Sequence, residues 1–135
     1  MMRNKLLNLA DHLGVGITYT KELPPNWWAA FNSMEAQVEI NWYARDAKDM
    51  DYILLHELCH ALQFRTDSEI WITWTEELEA ALRAGRSVDD PLPSCGLLEL
   101  DAEQRALGWL YLNGYNTEKY VEFANRNLDC YGLEL

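Results

Sequence analysis

The sequence predicts a single α+β domain over residues 1–135, mostly helical, with a short antiparallel sheet beside the helix that carries His56 and His60. Three observations predict it. Five stretches repeat apolar residues at helical spacing, and two others are β-branched or alternate apolar with polar residues. The chain has 135 residues, the size of one domain. Its apolar fraction of 49% is enough to bury one core without help from disulfides.

In chain order, residues 2–13 place Leu6, Leu7, Leu9, Ala10 and Leu13 on a helical repeat, and Gly14 closes the run. Residues 16–20, Gly-Ile-Thr-Tyr-Thr, are β-branched and aromatic and read as a strand. Pro24-Pro25-Asn26 breaks the chain. Residues 27–31 fit either a turn or a bulky strand. Residues 36–43 alternate, with Val38, Ile40 and Trp42 on one face and Gln37, Glu39 and Asn41 on the other. That is the pattern of a half-buried strand.

The strongest helix covers residues 47–64, with Met50, Ile53, Leu54, Leu58, Ala61 and Leu62 as its apolar positions. Asp46 or Asp49 is placed to cap its start. Thr66-Asp67-Ser68 interrupts the pattern. Thr73 followed by Glu76 fits a capping box, and a helix over 75–84 ends at Gly85. Residues 90–94, Asp-Pro-Leu-Pro-Ser, form a loop. A helix over 97–112 stops at Asn113-Gly114, and Asn116 or Thr117 starts a last helix reaching residue 127. No internal repeat, low-complexity tract or interdomain linker interrupts this order.

Charge narrows the function classes. Lys and Arg total 11 against 22 Asp and Glu, a formal net charge of −11. Such a surface repels phosphate backbones, which argues against nucleic-acid partners. No stretch approaches the roughly 18 apolar residues of a membrane span, so no membrane partner is expected. The basic N-terminal stretch is broken by Asn8 and Asp11, unlike a signal peptide. Cys59, Cys95 and Cys130 are odd in number and form no CxxC pair, which argues against a disulfide framework or a cysteine-rich zinc site. A cytoplasmic protein in a reducing compartment is expected.

The chemistry concentrates in His56-Glu57-Leu58-Cys59-His60. Residues four apart on a helix sit one turn above each other, so His56 and His60 present two imidazoles to one point. Zn2+ accepts imidazole nitrogen at about 2.0–2.1 Å. Glu57 lies beside the first ligand, about 100° around the helix. From there it can act on water as a general base without itself ligating the metal. A catalytic zinc site needs a third protein ligand and one open position. His12 is far upstream and no histidine follows His60, so the third ligand is expected to be a carboxylate. Glu76, Glu77, Glu79, Glu99, Asp101 and Glu103 are the candidates on downstream helices.

The motif, taken with Glu99-Leu100-Asp101-Ala102-Glu103-Gln104-Arg105-Ala106, resembles the gluzincin metallopeptidases, and within them the ImmA/IrrE-like and minimal gluzincin domains. The resemblance covers residues 56–106 and implies a zincin-like fold. By position it implies Glu99 as third metal ligand, Ala102 as the small packing residue, and Glu103 as the group supporting a histidine ligand. Glu103 stands where the family has Asp or Asn. A carboxylate accepting the remaining imidazole N–H would fix its tautomer. Glu79 and Glu77 stay open as third ligands, because Glu76-Glu77-Leu78-Glu79-Ala80 contains similar spacings and lies nearer the motif, as in thermolysin-like enzymes.

Cys59 points off the ligand face and is expected to pack in the core. Trp42, Trp71 and Trp74 flank the motif, either as core or as cleft walls, core being the simpler role. Tyr111, Tyr115, Tyr120 and Arg105 are candidates for an oxyanion donor. Residues 37–41 are the strand expected to pair with an extended substrate. The function expected is zinc-dependent peptide hydrolysis on a protein or peptide substrate, of the stand-alone kind that a phage or mobile element encodes. The alternative is a catalytically silent module of the same fold that docks a protein partner through its acidic surface.

Overall fold

Gly16–Thr20 (β1), Ala29–Asn32 (β2) and Gln37–Asn41 (β3) form one sheet in the computed structural model, which describes residues 1–87 and 91–135. The described helices are Met2–Leu13 (α1), Met50–Arg65 (α2), Glu69–Arg83 (α3), Cys95–Leu112 (α4) and Glu118–Leu128 (α5). The protein is therefore α+β and mostly helical. The chain divides into two compact units, Met1–Arg65 and Thr66–Leu135.

In the first unit, α1 buries Leu6 and Ala10. Gly14 ends it in the left-handed region at φ 67, and its N–H returns to Asp11 and Ala10 carbonyls. A side chain at that φ is strained, which is why the helix stops on glycine. The strand order is β1-β3-β2. β3 runs parallel to β1, with Ile17 opposite Val38, and antiparallel to β2, with Phe31 opposite Val38. The sheet is thus mixed, whereas the sequence pattern suggested an antiparallel one. The chain between β1 and β2 lets β1 and β3 align in the same direction.

Val38 and Ile40 are fully buried while Gln37 and Glu39 are not, the expected alternation. Asn41 is the polar exception. Its N–H donates to the Trp28 carbonyl, its Nδ2 to the Trp27 carbonyl, and its Oδ1 accepts from the Tyr43 N–H. That satisfies a buried amide and starts the single 3-10 turn Trp42–Ala44 before α2.

Helix α2 buries Leu54, Leu55, Leu58 and Ala61 completely. Each such leucine contributes about 1.5–3 kcal/mol through burial. Phe64 meets Phe31 of β2 at 5.9 Å between ring centres. Arg65 donates to the Leu13 and Gly14 carbonyls, and Arg3 pairs with Asp51, so α1 and α2 are joined at both ends.

In the second unit, Ser68 caps α3 by accepting the Trp71 N–H. The capping box expected at Thr73 falls inside this helix instead, because Ser68 offers an extended N-cap five residues earlier. The Glu77 carboxylate accepts from both the N–H and the hydroxyl of Ser94, holding the start of α4 to α3. Of the loop expected at residues 90–94, Asp90 lies outside the described residues. Gly114, at φ 77, closes α4. Leu98, Ala102, Ala106 and Leu110 are buried along α4, and Tyr120, Phe123, Ala124 and Leu128 along α5. No helix among the described residues is long and apolar enough to cross a membrane.

Candidate metal centre

His56, Glu57 and His60 stand in the middle of α2, away from its fraying ends. The helix repeat brings the two imidazoles together, with Nε2 of His56 and Nε2 of His60 3.1 Å apart. Their rings meet edge to face at 4.7 Å. Two nitrogens each bound at about 2.0–2.1 Å to one tetrahedral ion would stand about 3.3–3.4 Å apart, so the pair is close to ligating separation.

Glu99 lies on α4 and is half-buried. His56, His60 and Glu99 are a donor set that could hold a metal ion. Two imidazoles and a carboxylate are a known catalytic zinc set that leaves one position open. The donor chemistry therefore fits a divalent metal ion.

The other carboxylate candidates have different neighbours. Glu77 is engaged by Ser94. Glu79 is exposed and pairs with Arg83 at 3.6 Å, an i,i+4 contact on the outside of α3. Asp101 holds Arg105 at 2.7 Å, again one turn apart. His12 is exposed at the end of α1 and does not belong to the group.

Glu57 follows His56 and is partly exposed. The helical step of about 100° turns it off the line of the two ring nitrogens. Glu103 is fully buried one turn beyond Glu99, and its Oε1 accepts a 2.7 Å hydrogen bond from the Tyr120 hydroxyl. That bond commits one oxyanion candidate, Tyr120, to a buried carboxylate. Tyr111 is largely exposed, Tyr115 stacks on Trp109, and Arg105 is paired with Asp101.

Sequence reasoning missed Gln63. This residue is fully buried, and its Oε1 lies 2.8 Å from Nδ1 of His60. The signal was present, because residues 56, 60 and 63 follow the i, i+4, i+7 stripe of one helix face. A glutamine on the same stripe as two histidines in a buried helix is a polar line, not a solvated face.

Three further expectations meet the structure differently. Cys59 is buried, in keeping with packing, and all three cysteines are free thiols. The tryptophans are not fully buried. Trp42 is partly exposed, with the Arg45 guanidinium 3.8 Å from its ring centre, and Trp71 and Trp74 form a half-buried ring pair. Residues 37–41 cannot add a substrate strand, because β3 is the central strand with β1 and β2 on its two sides. The alternating pattern showed a strand but could not show which strands flank it.

No family model, curated protein or solved structure matches this chain.

Proposed function

We propose that this protein is a zinc-dependent metallopeptidase of gluzincin type, cleaving peptide bonds in a protein or peptide substrate. The observation that carries the reading is the pair His56 and His60, brought together on a helix that also presents Glu57 next to the first histidine.

His56, His60 and Glu99 would hold the ion. When bound, zinc supplies Lewis acidity, which polarises a carbonyl and makes water more acidic. Glu57 takes a proton on its carboxylate as the nucleophilic water attacks, then delivers it to the departing amine nitrogen. Glu103 lies one turn beyond Glu99 on α4 and is braced by Tyr120. In this reading it helps hold the ligand set in place. A carboxylate next to the first histidine supports catalysis over a purely structural ion, for which a general base has no use.

The test is cleavage of a peptide library by wild type and Glu57→Gln, with bound zinc measured in both. The reading expects cleavage by wild type, and a loss of about 10²–10⁴-fold in the variant at unchanged zinc content. Zinc retained with no cleavage of any library member by wild type would favour the docking module instead.

A further inference from the structure

We propose that Gln63 is the positioning residue of this site. It holds His60 as the Nδ1–H tautomer and thereby aims the bare Nε2 at the point it shares with His56. The inference rests on reading His60 as a metal ligand and adds to it the group that prepares that ligand.

The geometry is local to one helix. Gln63 lies three residues after His60, close enough on the helix for the two side chains to meet. Its Oε1 stands 2.8 Å from Nδ1 of His60. An amide oxygen only accepts, so the ring nitrogen facing it carries the hydrogen. A neutral imidazole has one N–H, and once Nδ1 holds it, Nε2 presents a lone pair. That Nε2 is the atom 3.1 Å from His56 Nε2.

Burial gives the contact its weight. Gln63 is 0% exposed and His60 7%. A polar side chain shut away from water is costly unless it is hydrogen-bonded, and a buried ring cannot turn over to borrow a water molecule. The pair therefore fixes one tautomer and one ring orientation before any ion arrives. Ligating histidines in general depend on such an acceptor behind the ring. Here the acceptor is a neutral amide supplied by the ligand's own helix, so His60 is oriented within α2 itself.

The experiment reads the tautomer directly. The metal-free, 15N-labelled full chain is recorded by long-range 1H–15N correlation of its histidine rings, well above the usual imidazole pKa of about 6.5. His60 is expected as the Nδ1–H tautomer in wild type and in Gln63→Glu, which keeps an acceptor oxygen. In Gln63→Leu it is expected to move toward Nε2–H. Zinc affinity, from competition with a chelator, is expected to fall about 10–100-fold in Gln63→Leu and to recover in Gln63→Glu. His60 found as Nε2–H in wild type would overturn the proposal, and that reading needs no variant to fold. Wild-type zinc affinity in a folded Gln63→Leu would overturn it as well. Both readouts as expected, in a protein that cleaves no peptide, would uphold Gln63 while removing the peptidase reading alone.

Discussion

Nε2 of His56 faces Nε2 of His60 at 3.1 Å. Two imidazole lone pairs at that separation repel unless a cation or a proton lies between them. A divalent ion bound there stabilises the native state, since the unfolded chain no longer holds the two rings together. Zinc at 100 times its Kd should raise unfolding stability by about 2.7 kcal/mol. Thermal or urea unfolding with and without zinc checks this, and His56→Ala and His60→Ala should each remove the gain.

Carboxylate substitutions separate the third ligand from its rivals. Glu99→Ala should weaken zinc binding by more than the roughly 10–100-fold typical of losing an outer partner. Glu79→Ala removes only an outward pair with Arg83 and should leave zinc affinity unchanged. Glu77→Ala releases both Ser94 bonds, so amide exchange at the start of α4 should quicken. Chelator competition and hydrogen exchange read the two effects independently.

The hydroxyl of Tyr120 donates to a fully buried carboxylate, Glu103. Tyr120→Phe keeps the ring, including its 5.6 Å packing on Phe123, and deletes only that donor. The expected cost is about 1–3 kcal/mol in a denaturant titration, with the fold retained.

The three free cysteines should differ in reactivity. Cys130 is exposed, Cys95 half-buried and Cys59 buried. Burial pushes the Cys95 thiol up, and the nearby negative charges of Glu99 and Glu77 push the same way, against a lowering contact from the Tyr131 hydroxyl. The thiolate is the reactive form, so Cys95 stays protonated in the ordinary thiol range. Alkylation followed by mass spectrometry should label Cys130 first and Cys59 last. Raising the pH should close the gap between Cys130 and Cys95 as Cys95 ionises.

What was legible in the sequence follows from which interactions are local. The helix of His56 and His60 could be read because an i, i+4 pair on a regular helix fixes its own geometry. The ends of α1 and α4 could be read because Gly14 and Gly114 have conformational freedom that other residues lack. The direction of β1 against β3 was not legible, because pairing joins residues such as Ile17 and Val38 that no local pattern connects. The bulky run at residues 27–31 hid β2, whose partner is again supplied by β3. The choice of Ser68 over Thr73 as the α3 cap depended on backbone shape, since both have a hydroxyl to offer. Glu99 was favoured only by resemblance, because no local pattern links it to His56 and His60. Gln63 was within reach of the periodicity, but its role depends on a side-chain oxygen that a letter code does not orient.

In the proposed reading, His56, His60 and Glu99 hold one metal ion. Elemental analysis of the purified, folded chain, incubated with zinc and desalted, is the decisive measurement. One zinc per chain is expected in wild type and none in the His56→Ala, His60→Ala double variant. Folded wild type without zinc, or a double variant that keeps it, would overturn the metal-centre reading.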